Sequence, residues 1–301
     1  MKIDKQIKVS DDVLSYLNTI KQPEAEIDKI LSLPKASELI KNATTLIAFD
    51  DDNNNVIGVL IFKKEQKNKR DYIRIELIDG TKEAQIALVE ELISIYQSAN
   101  YDGIFTRHFS IDRDISSLSQ FKLLSSLYLA TISSVKSKLK ANSAITPVKV
   151  TPSNYRTLKR LFTELLTEHD IQRNDYINQT IGRKILPTNL KGLKSHRLKL
   201  SYFIDNLAKS KEWQAFILYV DENPIGFVKG KVSSGSDTCF PDLYLKPKFL
   251  DRYIDASFLI LLNSLKVKYV GGIASRADRT SNNLYEKWFG KKLAEQFFFI
   301  R

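Results

Sequence analysis

The sequence contains few of the residues that form disulfides or bind metal ions. Its 301 residues include one cysteine, Cys239, and three histidines, His108, His169 and His196. A single cysteine cannot form a disulfide within the chain, and the three histidines stand too far apart to suggest a zinc site. We therefore expect no metal cofactor. Cys239 has no neighbouring histidine to activate it as a nucleophile, so it is expected to pack in the core.

Long apolar runs are also missing. No stretch approaches the roughly 18 apolar residues that a membrane-spanning helix needs. The polar start MKIDKQIKVSDD lacks the apolar core of a signal peptide, so we expect a cytoplasmic location. A length of 301 residues is about twice that of a typical domain, which predicts two domains.

Positive charge is concentrated in the second half of the chain. Residues 1–143 contain 20 Lys+Arg and 20 Asp+Glu, which leaves 26 and 15 of the totals of 46 and 35 for residues 144–301. Any anionic ligand is therefore expected there. The excess of positive charge is greatest around 170–199. This segment has two interpretations: it binds an acidic group of an acceptor or partner, or it is a solvated basic surface. No zinc-knuckle, RNP-like or helix-turn-helix pattern accompanies this charge, so nucleic acid is not the expected partner. The cations of this segment are Arg173, Arg183, Lys184, Lys191, Lys194, Arg197 and Lys199.

The two halves repeat one order of elements. AFDDDNNNVIGVLIF at 48–62 and YVDENPIGFVKGKV at 219–232 both predict a β-hairpin, and an offset of 168 places Gly58 on Gly226. Each half reads as start strand, helices, hairpin, strand, long helix, strand, helix and last strand. The predicted start strands are 7–9 and 148–150, and the predicted last strands are 127–135 and 295–301. The second half has 27 extra residues, around 170–199. A polar link at 136–147 separates predicted domains 1–140 and 144–301, each a mixed α/β fold.

This order resembles the GCN5-related N-acetyltransferase (GNAT) fold, here present as two tandem copies. The resemblance is carried by FPDLYLKPKFLDRYIDASFLILLNSLK (240–266), YVGGIAS (269–275) and RTSNNLYEKWFGKKL (279–293), in which LYEKWFG is the best match. In that family, a turn of type R/Q-x-x-G-x-G/A follows a strand ending in V-x-P, and its amides hold the pyrophosphate of acetyl-CoA. The resemblance therefore implies acetyl-CoA as co-substrate, a small-molecule or peptide amine as acceptor, and a degenerate first copy.

The resemblance also assigns site residues in the second half. It places the proton donor on Tyr285 and a base that works through water on Asp242. The alternatives are that Tyr285 only packs in the core and that Asp242 is a solvated carboxylate. His169 and His196 lie where the family shapes its acceptor pocket, or they are surface histidines. The first copy has Ser117 at the position of Tyr285. Cofactor contacts are assigned to Leu243, Tyr244, Leu245, Lys248, Leu250, Asp251, Arg252, Tyr253, Ile254, Asp255 and Asn282.

One departure from the family pattern leaves other functions open. The two glycines of the turn fall on Tyr253 and Asp255, whose side chains are expected to narrow the approach of a phosphate, and Asp255 is expected to repel it. Lys248 and Arg252 could supply charged contacts instead. The alternative to an acetyltransferase is a non-catalytic tandem module that has lost standard CoA binding. A third reading is a tandem transferase that uses aminoacyl-tRNA, as relatives of this architecture do.

Overall fold

The computed structural model describes residues 1–6, 10–20, 35–52, 55–67, 70–99, 101–110, 116–181, 212–232, 237–276 and 278–299. The chain divides into two compact units. The first contains Met1–Ser126 and Leu293–Arg301, and the second contains Leu127–Lys292. Within the described ranges, no helix is long and apolar enough to cross a membrane, and no three metal-binding side chains cluster together.

The first unit is a sheet covered on both faces. Its strands are β1 (Lys2–Gln6), β2 (Thr44–Phe49), β3 (Val56–Lys67), β4 (Arg70–Gly80), β5 (Gly103–Thr106) and β6 (Phe109–Ser110). Its helices are α1 (Asp11–Thr19), α2 (Ala36–Leu39) and α3 (Lys82–Ser98). Strands β1 to β4 pair antiparallel in sequence order, and α3 connects β4 to β5, which pair in parallel. Such a parallel connection needs a crossover, here supplied by α3.

Alternation along β3 accounts for the two covered faces. Leu60 and Phe62 pack with α3, whereas Val59 and Ile61 pack with α1 and α2 on the other side. Successive strand residues point to opposite faces, so a strand buried on both sides is apolar at almost every position. Helix α3 starts at a Thr81 cap, whose hydroxyl accepts from the Ala84 amide at 3.2 Å.

The second unit contains two sheets. Strands β8 (Thr146–Lys149), β9 (Trp213–Val220), β10 (Asn223–Lys231) and β12 (Asp242–Leu245) form an antiparallel sheet in the order β12-β10-β9-β8. Strands β7 (Lys122–Thr131), β13 (Tyr269–Ser275) and β11 (Thr238–Cys239) follow one another in the other sheet. The helices are α4 (Ile132–Lys136), α5 (Tyr155–Ile181), α6 (Leu250–Ser264) and α7 (Arg279–Phe289). Helix α5 packs on one face of the four-stranded sheet and α6 on the other.

The predicted mixed α/β fold is confirmed, and the repeated order is confirmed from the hairpin to the strand after the long helix. Among the described residues, the helix predicted after β5 is a short helical turn, Ser116–Leu118. The hairpin β2–β3, strand β4, helix α3 and strand β5 correspond to β9–β10, β12, α6 and β13. The predicted start strand at 7–9 lies outside the described residues, and β1 precedes it. The strand predicted over 127–135 ends at Thr131, because the Thr131 side chain accepts from the Ser134 amide and begins α4.

The compact units differ from the predicted ranges 1–140 and 144–301 in two places. The first unit ends at Ser126, and it also includes the last residues of the chain, Leu293–Arg301. The last strand, β14 (Lys292–Phe299), pairs antiparallel with β5, with Phe298 opposite Phe105. Any strand with a suitable alternation of apolar residues can pair with an open strand edge, so the local sequence does not predict this long-range pairing.

Candidate active site

The turn between β12 and α6 brings a helix N-terminus to the edge of the four-stranded sheet. The Lys246 amide donates to the Ile225 carbonyl at 2.9 Å, a short helical turn spans Pro247–Phe249, and α6 begins at Leu250. Phe249, the residue before α6, has no side-chain group that can cap the helix. This start differs from that of α3, where Thr81 is the cap. Helix N-termini without a side-chain cap favour anions.

The two residues at the glycine positions of the turn are directed into the protein. Tyr253 is 3 % exposed and belongs to the core. Asp255 accepts a hydrogen bond from Trp288 Nε1 at 2.8 Å and forms an ion pair with Lys287 Nζ at 2.9 Å. The charge of Asp255 is therefore balanced inside the unit. The repulsion expected between Asp255 and a phosphate is correspondingly weaker, because Lys287 compensates its charge.

Five other predicted cofactor residues contribute mainly to packing. Leu245 and Ile254 are buried in the same core as Tyr253, and Leu243 and Leu250 pack against it. Tyr244 stacks on a neighbouring phenylalanine with ring centroids 4.9 Å apart. The buried side chains of Leu245 and Ile254 can meet a ligand only through their main-chain atoms.

The charged side chains of the turn are exposed to solvent, whereas the side-chain amide of Asn282 is occupied by hydrogen bonds within the protein. Lys248, Asp251 and Arg252 are exposed. Asn282 donates to the Ser275 carbonyl at 2.8 Å and to the Asp278 carbonyl at 2.7 Å, so its amide fixes the start of α7. The structure thus leaves Lys248 and Arg252 as the cations available to a phosphate at this turn.

Tyr285 lies on α7 against the backbone of β13. A Cβ atom added to Gly272 would be 2.5 Å from the Tyr285 ring, so only glycine permits this contact. The rings of Tyr128 and Tyr285 pack in an edge arrangement, with their centroids 5.8 Å apart. Among the described residues, the Tyr285 hydroxyl has no hydrogen-bond partner. Burial, together with the negative charges of Asp242 and Asp278, raises the pKa of Tyr285 well above its ordinary value. The hydroxyl therefore keeps its proton at neutral pH.

Asp242 is bound to a buried lysine that the sequence analysis did not single out. It is the first residue of β12 and stands opposite Lys229 of β10, with which it forms an ion pair. Lys229 is 6 % exposed, and its Nζ lies 5.2 Å from the centre of the Trp213 ring. Asp242 is half-exposed, yet it is not simply a solvated carboxylate. The negative charge of Asp242 contributes to the raised pKa of Tyr285, so the two predicted catalytic residues interact electrostatically.

Tyr128 is the second site residue that sequence analysis missed. It is fully buried, and its hydroxyl donates to Asn282 Oδ1 at 3.3 Å and to Glu286 Oε1 at 3.4 Å. Its ring supports Tyr285, although it stands on β7, far from α7 in the sequence. Its only sequence signal was its place within an apolar strand, which does not distinguish a site residue from a core residue.

The remaining candidates have different environments. Cys239 is fully buried, as expected. Its burial and, to a smaller extent, the negative charge of Asp242 raise its pKa to about 12, so it remains an unreactive thiol. Ser117 donates to Gln85 Oε1 at 3.1 Å in the core of the first unit. His196 and the segment from 182 to 199 lie outside the described residues, as does the side chain of His169.

The second unit contains, in order, a hairpin, the edge strand β12, a turn into α6, the strand β13 and the tyrosine-bearing α7, which is the order of the GNAT fold. The first unit repeats this order from the hairpin to β5. Solved structures with this fold include a GCN5-related N-acetyltransferase from Sphaerobacter thermophilus, at 10% identity and a TM-score of 0.54, covering 99% of this chain and 95% of that one. A tandem GNAT protein from the clavulanic acid biosynthesis pathway is similar at 9% identity and a TM-score of 0.52, covering 99% of this chain and 98% of that one.

A third similar structure is the glucosamine N-acetyltransferase region of a fungal multi-domain β-N-acetylglucosaminidase. Its identity is 11% and its TM-score 0.54, and the match covers 99% of this chain and 38% of that one. No protein-family model matches the chain, and no curated protein sequence matches it. At these identities the similarity establishes the fold, two tandem GNAT copies.

Proposed function

We propose that the second unit is an N-acetyltransferase that transfers an acetyl group from acetyl-CoA to an amine. The acceptor is a small molecule or a peptide. The observation that carries this proposal is Tyr285, a partly buried and protonated tyrosine whose hydroxyl has no hydrogen-bond partner among the described residues and whose pKa is raised in part by the charge of Asp242. A fold alone does not determine a function, so the proposal depends on this pair of side chains.

The turn at the start of α6 fits a donor that carries phosphates. No side chain caps α6 at Phe249, although the Leu250 N–H already donates to the Pro247 carbonyl, and Lys248 and Arg252 are exposed at this turn. Backbone amides at a helix N-terminus and flanking cations both favour phosphate. Strand β12 is the edge of its sheet, which leaves one side of its backbone for an extended ligand.

The residues of the site have separate roles in the proposed reaction. Acetyl-CoA supplies a thioester, whose carbonyl carbon forms a C–N bond to the acceptor nitrogen while the C–S bond breaks. Tyr285, which holds its proton at neutral pH, donates it to the departing sulfur. Asp242 takes the proton lost by the nitrogen through a water molecule. Lys229 holds the Asp242 carboxylate in one orientation.

The first unit lacks two features of this site. Thr81 caps α3 at the position where α6 has Phe249, so a side chain already occupies one of the N–H groups there. Ser117 stands at the position of Tyr285 and is bound to Gln85 in the core. We therefore assign the first unit a supporting role, without an active site of its own.

The test compares Tyr285→Phe with a matched control. Release of CoA thiol from acetyl-CoA is measured with a panel of primary amines that includes glucosamine, a peptide N-terminus and a lysine side chain. Tyr285→Phe is expected to lower turnover at least about tenfold, because general acid catalysis contributes factors of this size or more. Tyr155→Phe, which removes a hydroxyl from α5, is expected to leave turnover unchanged.

The second candidate function is a binding module without catalysis, and the glycine-free turn favours it. Calorimetric titration of the folded chain with acetyl-CoA separates the two. Absence of heat at millimolar acetyl-CoA would contradict the acetyltransferase and leave the module. Saturable binding with unchanged turnover in Tyr285→Phe would also contradict the proposed role of that residue.

A further inference from the structure

The second unit contains a polar cavity of about 560 Å³ away from Tyr285. Its walls are α5, the turn between β9 and β10, and the short helical turn before α6. Lys246, which lines it, follows the last residue of β12, whereas Asp242 is the first residue. A strand rises about 3.3 Å per residue, so roughly 13 Å separates the cavity from the acyl-transfer end of β12. The cavity therefore lies away from the acyl-transfer end of β12, and it shares Lys248 and Phe249 with the turn before α6.

The charges of the cavity are only partly neutralised by one another. Lys246 Nζ lies 3.9 Å from Glu164 Oε2, which forms a weak ion pair across one side. In the part of the chain that the structure describes, the Arg160 guanidinium and the Asp221 carboxylate have no ion-pair or hydrogen-bond partner. Lys248 Nζ contacts only the ring of Phe249, 4.9 Å from its centre. Two cations and one carboxylate are thus left facing the cavity.

A tight hairpin turn presents Asp221. Asp221 and Glu222 form the two-residue connection of the β9–β10 hairpin and have φ angles of 47° and 62°. The first position of such a turn favours asparagine, aspartate or glycine, which tolerate positive φ. The Asn223 amide supports the turn by donating to the Asp221 carbonyl at 2.9 Å. The turn thus fixes the backbone that presents the Asp221 carboxylate at the cavity.

The cavity also has an apolar side. Phe249 is part-exposed, and Val220 and Pro224 lie beside it. A cavity lined by an aromatic ring and by opposite charges suits a ligand with an apolar body and two charged groups. A plain anion suits it less, because Asp221 would repel the anion.

We propose that this cavity binds a zwitterion of the α-amino acid class with a large apolar side chain. Its carboxylate lies between Arg160 and Lys248, its ammonium group pairs with Asp221, and its side chain packs on Phe249. No covalent step is involved. The cavity shares Lys248 and Phe249 with the turn that is proposed to hold the phosphates of acetyl-CoA, whereas Arg160 and Asp221, which the test perturbs, line the cavity and belong to neither that turn nor the Tyr285 end of the unit.

The test is an NMR titration of the full chain with L-phenylalanine as the probe. For a ligand of this size at an exposed site, we expect a Kd on the order of 1 mM, with amide shifts centred on Asn223 and Lys248. Phenethylamine lacks the carboxylate and 3-phenylpropanoate lacks the ammonium group, and each is expected to bind at least about tenfold more weakly.

Two substitutions separate the two charged ends of the ligand. Asp221→Asn suits the turn at least as well as aspartate, so the fold is retained. It is expected to weaken L-phenylalanine at least about tenfold and to strengthen the weak binding of 3-phenylpropanoate, because Asp221 no longer repels its carboxylate. Arg160→Gln is expected to give the opposite selectivity, weakening 3-phenylpropanoate and sparing phenethylamine. Glu222→Gln, on the same turn but not in the cavity wall, is the control and is expected to change nothing.

Three results would overturn the assignment. The first is an absence of shifts around the cavity at tens of millimolar L-phenylalanine. The second is equal loss of affinity in Glu222→Gln and Asp221→Asn. The third is saturable binding of inorganic phosphate that needs Arg160 and is indifferent to Asp221→Asn, which would make the cavity a plain anion site.

Discussion

Acidification is expected to destabilise the first unit through His108. Its Nε2 lies 3.1 Å from Ser125 Oγ, which in turn donates to Gln296 Oε1 at 3.1 Å, and the Gln296 amide donates to the Thr106 carbonyl at 2.8 Å. This network joins the connection after β5 to β7 and β14. Burial and the nearby charge of Arg107 lower the pKa of His108 from 6.5 to about 4.

The direction and size of the effect follow from that pKa. The folded-state value lies below the unfolded reference of 6.5, so the unfolded chain binds the proton more readily between the two values. The stabilising contribution of neutral His108 is complete above pH 6.5 and is lost as the pH falls toward 4. A pKa difference of about 2.5, at about 1.4 kcal/mol per pKa unit, lowers the free energy of unfolding by about 3 kcal/mol.

The assay is urea unfolding at about pH 7.5, 5 and 4, followed by far-UV circular dichroism, for the wild type and His108→Gln. Glutamine is neutral throughout and can still bond to Ser125. The wild type is expected to lose about 3 kcal/mol more than the variant over this range. Both tryptophans, Trp213 and Trp288, belong to the second unit, so their fluorescence provides an internal control. Parallel pH profiles for the two proteins would refute the reasoning.

Two further substitutions test the geometry around Tyr285. Gly272→Ala places a Cβ atom 2.5 Å from the Tyr285 ring, so we expect a loss of about 1–3 kcal/mol in urea unfolding together with lower acetyl-transfer turnover. Unchanged stability and turnover would contradict the contact. Asp255→Ala leaves the Trp288 indole N–H without its acceptor and is expected to cost about 1–3 kcal/mol, whereas Asp255→Asn retains an acceptor oxygen and should cost less. Tryptophan fluorescence during unfolding measures both, and equal losses would show that the hydrogen bond is unimportant.

The tandem fold could be predicted because its signals are local. Hairpins, strand alternation and helix periodicity each span fewer than about 20 residues, so they can be identified separately and compared between halves. The position of LYEKWFG then placed Tyr285 on a helix after β13, where the structure has it. The end of β7 was wrong by four residues, because the apolar pattern continued past the Thr131 cap into α4.

The contacts that decide the site depend on register and distant pairing. Lys229 meets Asp242 only because β10 and β12 pair in one register, and a shift by one residue would separate them. Tyr128 reaches Tyr285 from another strand, and β14 returns to β5 from the end of the chain. The members of the last two pairs lie far apart in the sequence, and Lys229 and Asp242, although only 13 residues apart, meet through the register of two strands. The pattern can therefore identify single candidates, but it cannot reveal the residues that position them.

The glycine-free turn has a physical explanation within the second unit. Asp255 holds the Trp288 indole, Trp288 stacks on Phe258 of α6 with ring centroids 4.6 Å apart, and Tyr285 lies one turn earlier on α7. The carboxylate at the glycine position thus ties α6 to the helix that carries the proposed proton donor. A glycine at 255 would leave the backbone of the turn more open and would also remove this tie. Asp255→Gly is consequently expected to impair Tyr285 even if it improves access for a phosphate. Loss of activity in that variant would reflect α7, so the direct probes of phosphate binding at the turn are Lys248 and Arg252.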